Sequence, residues 1–573
     1  MKYPVIYSKK FFYLLLLLWF VLNLLQSFFT ELLHDEAYYY FYSTKLAWGY
    51  YDHPPMIAIL IKLGYLIFPN ELGVRILVSI VSVVSIMLIA DMVKVKNYLL
   101  FFAFLFSIFI FQVFGFIAIP DSPLVFFTVF FFYVYRNYLK KNSWFDTLLL
   151  SFAVAGMMYS KYLGVLVIFF TFLSNLKLVK RKTFWVALLL SALLMLPHLY
   201  WQIQNDFVTF YFHLVERNRD AVFDVMNIIN YLLGQLGILN PLIAFIVLYY
   251  AFKDNTKDNF ERALKFNVIG ILTVGFLLTF NGAVEGNWTA VAYIPLMILA
   301  FPPIQANLKI HKTFYVLSLI SFLLVMVLRI YLVYDILPGN REHALQGEFH
   351  GWDKWAEQVE QIAGEKPVVF TNSYQKAAKY FFYTGKPAFT FNYMLYRKNQ
   401  YDLQLTEAEI SGKEVLFMQT SKGNRITGSD HVYRMPEPDS IELMGQKWYY
   451  QKITDYHSYN FIPVDIHLEN DEFRAGTLIG IPVELINPLD TAFTIMQEQG
   501  GTFLSVSFNQ KGRMIKYDEP DDISMLWLDK SFNTTLLVRV PETAGEYELR
   551  VAIRSGWFPP GINSRLYKIR VTL

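Results

Sequence analysis

Five titratable side chains lie in a short stretch directly after the first apolar run of the sequence: His34, Asp35, Glu36, Asp52 and His53. A carboxylate that faces water just beyond the end of a membrane helix can accept the proton of an incoming hydroxyl or amine, as a general base does in sugar transfer. When the leaving group is already good, as a phosphate ester is, one such base is enough for transfer with inversion. Asp35 and Glu36 are the candidates because they follow the apolar run immediately.

A leaving phosphate also needs positive charge close to it. Lys161, Arg217 and Arg219 are predicted to lie on the same side of the membrane as Asp35 and are the candidate phosphate contacts. For these cations, the alternative interpretation is that they orient the chain in the membrane or reach the interface along their aliphatic stems. The aromatic residues of the same stretch could stack on a sugar or line a lipid groove, or they could be interfacial anchors.

The composition is that of a membrane protein. Of 573 residues, 55% are hydrophobic and 17% are charged, and the chain has 53 Phe and 39 Tyr. The mean hydropathy of +0.34 lies above the usual range of soluble globular proteins. The net charge of +3 gives no reason to expect nucleic acid as a partner, and the lack of cysteine excludes disulfides and thiolate chemistry.

Apolar runs and basic loops predict a polytopic α-helical protein with about eleven or more spans. Lys2, Lys9 and Lys10 precede the first run, 11–29, so the amino terminus is expected in the cytoplasm; a cleaved signal peptide is the alternative for this run. The long apolar run 147–175 is expected to cross twice, with a turn at Lys161. This topology brings the polar islands, including "IPDSP" and "VEGNW", to the outer face together with the opening stretch.

The carboxyl-terminal third is predicted to lie outside the cytoplasm. We predict a transmembrane domain over 1–335, an α/β domain over 336–465 and a β-sandwich over 466–573. The α/β prediction rests on short strands such as "KPVVFTN" and the helix "SYQKAAKYFFYTG", and the sandwich on alternating runs such as "TFLSVSFN". We find no glycine loop for a nucleotide and no zinc spacing there, so no nucleotide cofactor is expected and the region is interpreted as an acceptor-binding or packing module.

The stretch "HDEAYYYFYSTKLAWGYYDHPPM" resembles the first outer loop of the GT-C glycosyltransferases related to protein O-mannosyltransferases and aminoarabinose–lipid A transferases. "IPDSPLVFF", "SKYLG", "FHLVERNRD", "GNW" and "GWDKWAEQV" recur in the same order. The resemblance covers about residues 1–400. It implies a GT-C fold and a sugar donor carried on a polyprenyl phosphate, and it does not cover the terminal sandwich.

By this resemblance Asp35 and Asp121 are the catalytic carboxylates, and Lys161 and Arg217 contact the donor phosphate. Asp52 and His213 match residues that hold a metal in the aminoarabinose transferases, so a divalent ion is a possible cofactor; His53 replaces the usual lysine of that motif. The remaining candidates are predicted to contact the sugar or the acceptor: Glu36, Tyr38, Tyr51, His53, Glu285 and Trp288.

The leading hypothesis is therefore an inverting, polyprenyl-phosphate-dependent glycosyltransferase of the bacterial inner membrane, acting on its outer face. The acceptor could be a glycolipid such as lipid A, a polysaccharide or a protein. A flippase for lipid-linked sugars is the first alternative, although we find no internal repeat of the kind that transporters carry. A non-catalytic membrane scaffold is the second, and it would give the outer carboxylates no purpose.

Overall fold

A computed structural model describes residues 7–217, 223–336, 344–394, 396–425, 432–510 and 512–573. The chain divides into two compact units, Met1–His350 and Gly351–Leu573. The first unit is helical, and strands prevail in the second. The division follows the short helix at Ala344–Phe349, whereas the predicted boundary at 335/336 lies directly after the preceding long helix.

The helices of the first unit are α1 (Lys9–Phe29), α2 (His34–Thr44), α3 (Met56–Tyr65), α4 (Glu71–Val93), α5 (Tyr98–Ser107), α6 (Phe109–Phe114), α7 (Asp121–Lys141), α8 (Trp144–Ser160), α9 (Gly164–Ser174), α10 (Lys182–Gln204), α11 (Val208–Tyr211), α12 (Val225–Leu239), α13 (Ala244–Phe252), α14 (Asn259–Leu278), α15 (Tyr293–Ala306), α16 (Leu308–Val333) and α17 (Ala344–Phe349). Three other helical turns complete the unit: 3₁₀ turns at Leu176–Lys180 and Gly286–Ala292 and a π-helical turn at Phe212–Glu216.

Polar side chains placed just before the apolar runs fix where several helices begin. The hydroxyl of Ser8 accepts from the backbone N–H of the third residue on, and Asn70, Asn97, Ser143 and Asp258 cap α4, α5, α8 and α14 in the same way. A cap of this kind satisfies one of the first N–H groups of a helix, which have no partner inside it. The sequence therefore sets these starts locally.

Five helices of the described residues are long and apolar enough to cross a membrane: Lys9–Phe29, Glu71–Val93, Lys182–Gln204, Gly286–Ala306 and Leu308–Val333. A sixth span results if α12 and α13 count together, although they are bent by 86°. The chain is thus a multi-span helical protein, while the number of about eleven spans is not confirmed. Shorter apolar helices account for part of the difference, because α3, α5 and α9 have 10 to 17 residues each.

Two long apolar runs of the sequence do not form continuous helices. The run 98–118 breaks at Ile108, which separates α5 from α6, and the run 227–252 breaks at Asn240 between α12 and α13. Asn240 has a φ of 81°, and the residue after it is Pro241, which disfavours a helical conformation before it. The predicted turn at Lys161 is present as a break between α8 and α9.

A buried arginine ties the first and last long helices together. Arg329 on α16 donates to the side-chain oxygen of Asn23 on α1 (2.9 Å) and to the backbone and side-chain oxygens of Gln112 (3.3 and 3.2 Å). In return, the side chain of Gln26 donates to the backbone carbonyl of Arg329 (3.1 Å). These polar groups lie inside the bundle and not toward lipid, where each would lack a partner.

The second unit begins with α18 (Trp352–Ala363) and continues through β1 (Val368–Thr371), α19 (Tyr374–Thr384), β2 (Ala388–Phe391), α20 (Gln400–Leu403), β3 (Val415–Gln419), β4 (Gly423–Arg425), β5 (Val432–Arg434), β6 (Asp439–Leu443) and β7 (Gln446–Ile453). Its five-stranded sheet has the order β2-β1-β3-β7-β6, with β1 parallel to both neighbours and β7 antiparallel to both of its own. The predicted strands and the helix that ends at Gly385 are confirmed. Gly385 has a φ of 69°, which suits a helix C-cap.

The following strands are β8 (Val464–Ile466), β9 (Glu472–Arg474), β10 (Leu478–Ile486), β11 (Phe493–Thr494), β12 (Thr502–Gln510), β13 (Arg513–Asp522), β14 (Trp527–Leu528), β15 (Ser531–Arg539), β16 (Gly545–Ser555) and β17 (Tyr567–Thr572). They form sheets of order β15-β10-β8 and β13-β12-β16-β17-β9. One core takes alternate residues from both sheets, for example Ile481 and Val483 from β10 and Val506 from β12. The predicted sandwich is therefore present, and the predicted boundary at 465/466 falls inside β8, which pairs with β10.

Glu407 is a buried carboxyl group of this second unit. Burial raises its pKa to about 8, and the hydroxyl of Tyr456 donates to it over 2.8 Å. The pKa of nearby Asp402 is raised by burial to about 6. In the unfolded chain Glu407 loses its proton near pH 4.5, so between pH 4.5 and 8 the folded unit binds a proton that the unfolded chain has lost.

We therefore expect the stability of this unit to fall as pH rises through that window, by up to about 1.4 kcal/mol per pH unit. Glu407→Gln should remove this loss. The measurement is hydrogen exchange of the segment 406–419 in the full chain at pH 6 and pH 8.5, normalised to unfolded controls. The variant should gain protection over the wild type mainly at pH 8.5. Glu409→Gln, in the same turn but exposed, is the matched control, and equal gains in both variants would contradict the assignment.

Candidate active site

The acid-rich stretch is held in place by a buried ion pair. Glu36, in the first turn of α2, receives two hydrogen bonds from Arg75, from Nε at 2.8 Å and from Nη2 at 2.5 Å. Both side chains have no exposed surface. The backbone N–H groups of Leu33 (2.9 Å) and Ala118 (2.7 Å) also donate to this carboxylate. Glu36 could therefore contact the sugar or the acceptor, as predicted, only if the Glu36–Arg75 pair opened. In its present position Glu36 supports the neighbouring residue Asp35.

Arg75 binds the end of the first helix as well. Its guanidinium donates to the backbone carbonyls of Ser27 (3.2 Å), Thr30 (2.6 Å) and Glu31 (2.9 Å). Carbonyls at the end of a helix lack helical donors, and a buried cation can satisfy them. The pair therefore joins α1, α2, α4 and the segment before α7. It fixes half-buried Asp35 in the first turn of α2, where the helix dipole favours a negative charge.

Asp121 and Lys161 form a second ion pair. The ammonium group of Lys161 donates to both carboxylate oxygens of Asp121, at 2.9 and 2.8 Å, and the amide of Asn287 donates to one of them at 3.2 Å. The exposed fractions of the two charged side chains are 3% for Asp121 and 11% for Lys161. Asp121 begins α7, Lys161 lies at the break after α8, and Asn287 lies in the 3₁₀ turn before α15. Three elements thus bring together the predicted carboxylate and the predicted phosphate contact.

A third group contains Arg217, Glu285 and Trp288. The guanidinium of Arg217 donates to the carboxylate of Glu285 over 2.5 Å and lies 4.5 Å from the centroid of the Trp288 ring. Arg217 is partly exposed and Glu285 is mostly exposed. Arg217 is therefore held by both the carboxylate of Glu285 and the ring of Trp288. The other predicted cation, Arg219, lies outside the described residues.

The segment that contains Asp52 packs against the π-helical turn. His213 Nε2 is 2.8 Å from the backbone carbonyl of Asp52, so Nε2 carries the proton and donates. The hydroxyl of Tyr42 donates to the Asp52 carboxylate, and Tyr51 donates to Glu216 over 2.6 Å. Burial lowers the pKa of His213, which favours its neutral form.

Other predicted contacts lie in the same aromatic packing. The rings of His53 and His213 have centroids 6.0 Å apart. Tyr38 is 1% exposed and packs edge-on against Tyr42 with a centroid distance of 4.7 Å, while Tyr51 is 2% exposed. These two tyrosines support the wall of the site, and neither presents a face to solvent on which a sugar could stack.

The two predicted metal ligands are neighbours but do not form a metal site. His213 bonds to the Asp52 backbone, and the Asp52 carboxylate accepts from a tyrosine hydroxyl. Among the residues that the structure describes, no three His, Asp or Glu side chains converge as a metal would require. Within this described part of the chain, Asp52 and His213 are too few donors for a bound divalent ion.

We therefore expect any sugar transfer by this chain to survive removal of metal. Initial rates of purified protein in excess EDTA should stay within about twofold of the rates in added Mg²⁺, Mn²⁺ or Zn²⁺, because no three of the described His, Asp or Glu side chains converge on one metal position. The transfer rate of the Asp52→Asn variant should likewise not change when these ions are added. Loss of activity in EDTA that one divalent ion restores would contradict this prediction.

Some residues that build the site carry no individual signal in the sequence. The hydroxyl of Tyr162 accepts from the amide of Gln202 (3.0 Å), which also donates to Thr209 (2.7 Å); Thr209 in turn donates to the carbonyl of Tyr50 (2.8 Å). This chain of bonds links the turn at Lys161 with the start of the Asp52 segment. Arg75, Glu216 and Asn287 also belong here; the last two lie in the polar islands, whereas Arg75 lies within an apolar run.

Together, the multi-span bundle, the clamped acidic turn at one end and the carboxyl-terminal β-rich region define a membrane protein with a GT-C type of fold.

Comparisons with known proteins agree with this class. Residues 52–201 match the family model described as dolichyl-phosphate-mannose-protein mannosyltransferase. The lipid A galacturonosyltransferase RgtD of Rhizobium johnstonii is 22% identical over 302 residues, which cover 47% of this chain and 60% of that protein. The chain thus spans less than two thirds of that relative.

Crystal structures of ArnT from Cupriavidus metallidurans share the fold. The form bound to undecaprenyl phosphate aligns with a TM-score of 0.52 at 10% identity, covering 77% of this chain and 98% of that one. The apo form aligns with a TM-score of 0.51 at 11% identity, covering 77% and 97%. The predicted resemblance to GT-C glycosyltransferases is therefore confirmed as a likeness in fold, and the family model and the lipid A galacturonosyltransferase agree with it in sequence.

Proposed function

We propose that this chain is an inverting membrane glycosyltransferase that moves a sugar from a polyprenyl phosphate to a glycolipid acceptor. The observation that carries the proposal is that two buried ion pairs lie close together along the segment that leads into α7. The backbone N–H of Ala118 donates to Glu36, beside Asp35, and Ala118 lies three residues before Asp121, which pairs with Lys161. The contacts that support the candidate base and those that hold the candidate phosphate contact thus share this segment.

The proposed step needs one base and one leaving group. The acceptor hydroxyl loses its proton to the carboxylate of Asp35 as its oxygen attacks the anomeric carbon. The bond from that carbon to the phosphate oxygen breaks on the opposite face, so polyprenyl phosphate leaves and the configuration inverts. Lys161 and Arg217 would stabilise the charge that develops on the phosphate.

The partners of the two cations define their roles. The ammonium group of Lys161 donates to both carboxylate oxygens of Asp121, so Asp121 would act by aiming Lys161 rather than by touching the sugar. Glu285 and Trp288 would orient Arg217 in the same way. Pre-oriented donors of this kind need no rearrangement when charge develops, which is what makes them effective.

The named relatives guide the choice of donor and acceptor. The ArnT structure contains undecaprenyl phosphate, which supports a polyprenyl-phosphate donor. The curated relative transfers galacturonate to lipid A, which supports a glycolipid acceptor and a uronic acid as the first sugar to try. We place the reaction on the outer face of the bacterial inner membrane, with the amino terminus in the cytoplasm.

The test uses the full chain in nanodiscs with undecaprenyl-phosphate donors that carry galacturonate, aminoarabinose or mannose, and with lipid A as acceptor. Mass spectrometry should show lipid A heavier by one sugar, in a donor-dependent manner, and the new bond should have the anomeric configuration opposite to that of the donor. Movement of labelled donor across proteoliposomes, without transfer to any lipid, polysaccharide or protein acceptor, would identify a transporter instead.

A further inference from the structure

A cavity of about 450 Å³ lies at the opposite end of the helices from the candidate active site. Asp121 begins α7, whereas Arg136 and Lys140, near the end of the same helix, line this cavity. Similarly, Arg75 lies near the start of α4, and Lys94 follows its last residue. Helices of 21 and 23 residues span about 30 to 35 Å. The cavity is therefore separate from the sugar-transfer end.

The walls of the cavity combine apolar core and charged rim. Met92, Leu264 and Ile298 line it and belong to the main core of the helical unit. Lys94 and Lys140 lie at the rim and are exposed, and within the described part of the chain neither ammonium group takes part in an ion pair. An apolar wall below unpaired cations, at the end of membrane helices, is the arrangement that holds lipid headgroups between helices.

Two of the three carboxylates of the lining, those of Asp258 and Glu261, are engaged in local contacts. Asp258 caps α14 by accepting from the N–H of Glu261 (2.8 Å), and Glu261 accepts from the N–H of Lys257 (2.9 Å). The ammonium of Lys265 donates to the carbonyl of Asp254 (2.7 Å). These contacts leave Lys94 and Lys140 as the cations to which an anion could bind.

Arg136 adds a buried donor to this rim. Its Nη2 donates to the carboxylate of Asp91 over 2.6 Å. Its Nε is buried and has no hydrogen-bond partner among the described residues. A buried donor without an acceptor costs free energy unless a ligand or water meets it.

Two prolines remove the usual helical donors of two carbonyls at the same cavity. Pro302 and Pro303 lie inside α15, and they have no N–H to donate to the carbonyls of Ile298 and Leu299 four residues earlier. All four residues line the cavity, and a helical carbonyl points along the axis toward the residue four positions on. In the described chain, no side chain donates to either carbonyl. A ligand with a hydrogen-bond donor would satisfy them.

We propose that this cavity binds the headgroup of a glycerophospholipid in which a phosphate is joined to a hydrogen-bond donor, as in phosphatidylethanolamine and phosphatidylglycerol. The phosphate lies at Lys94, Lys140 and Nε of Arg136. The ammonium or hydroxyl donor of the headgroup lies at the carbonyls of Ile298 and Leu299. Phosphatidylcholine has the phosphate without such a donor, and inorganic phosphate lacks both the donor group and the acyl chains.

The test is native mass spectrometry of the delipidated full chain with dioleoyl lipids of these three headgroups. Phosphatidylethanolamine and phosphatidylglycerol should bind about tenfold more tightly than phosphatidylcholine. The paired change Lys94→Gln with Lys140→Gln should weaken both by about thirtyfold. The control is Lys177→Gln with Lys180→Gln, two exposed lysines of a neighbouring loop, which should change nothing. Equal binding of the three lipids, displacement by millimolar inorganic phosphate, or unchanged binding in the Lys94 and Lys140 variant would overturn the proposal.

A second variant tests the acceptor half and is expected to keep the fold. Pro302→Ala with Pro303→Ala restores two backbone N–H groups and suits a helix better than proline does. The restored donors occupy the carbonyls of Ile298 and Leu299. The preference over phosphatidylcholine should then disappear while binding through the lysines persists. A preference that survives this change would show that the carbonyls take no part.

Discussion

Asp35→Asn is expected to lower the rate of sugar transfer by about 10²- to 10⁴-fold, the usual contribution of a positioned general base. The amide keeps the size of the side chain but does not accept the proton of the acceptor hydroxyl. Because Glu36 and Arg75 hold the turn independently of Asp35, the variant should fold and bind donor as the wild type does. The measurement is the initial transfer rate at saturating donor and acceptor, together with donor affinity.

Glu31→Gln is the matched control, since it removes a carboxylate four residues earlier, in the segment between α1 and α2. It should keep at least a third of the wild-type rate. Transfer by the Asp35 variant within about threefold of the wild type would remove Asp35 from the mechanism. A large loss of donor affinity with an unchanged maximal rate would assign it to donor binding instead.

Breaking the buried pair of Glu36 and Arg75 should destabilise the helical unit strongly. Glu36→Gln leaves a buried guanidinium without its counter-charge, and loss of one partner of a fully buried pair costs about 3–5 kcal/mol. Asp91→Asn makes the same chemical change at the pair with Arg136, where the carboxylate side chain is 60% exposed, and should cost about 0–1 kcal/mol. The two variants differ mainly in burial, so their difference measures what burial contributes.

The measurement is possible because the chain has no cysteine. Ser318→Cys, whose hydroxyl is buried without a hydrogen-bond partner in the described residues, places a single thiol in the helical unit, and its reactivity during denaturation reports the unfolding of that unit. Glu36→Gln combined with Arg75→Met should recover part of the loss, because no unpaired charge remains. Recovery should be incomplete, since three backbone carbonyls lose their donor. Equal costs for Glu36→Gln and Asp91→Asn would contradict the buried pair.

Local patterns in the sequence predicted much of this molecule. Alternation of apolar residues located the sandwich strands, a glycine located the end of α19, and basic loops separated the helix ends into two groups. They failed where the outcome depends on contacts between distant residues. Arg75 lies within an apolar run, and nothing near it in the sequence indicates its partner. That partner, Glu36, is 39 positions earlier. Hydropathy also does not reveal the helix breaks at Ile108 and Asn240. These breaks change the number of helices in the apolar runs that are long enough to span a membrane.

The candidate site shows the same limit. Polar islands on one face were predicted to converge, and the bonds from Lys161 to Asp121 and from Asn287 to Asp121 join three of them. Which cation binds which carboxylate could not be predicted, because several islands offer a carboxylate and the sequence does not say which islands meet. For the suggested Asp52–His213 pair, the sequence did not predict that His213 bonds to the backbone carbonyl of Asp52 and that a tyrosine hydroxyl donates to the Asp52 carboxylate.

The contacts of Arg329 bear on how the chain is made. Asn23 and Gln26 on the first helix leave the ribosome about 300 residues before Arg329, the residue of α16 to which they bond. Until α16 is inserted, these amides sit in the bilayer without that partner, in a medium that offers no water in exchange. Insertion of the last long helix thus closes the hydrogen bonds of the first. A nascent chain that stops before residue 308 lacks the Arg329 contacts of both Asn23 and Gln26.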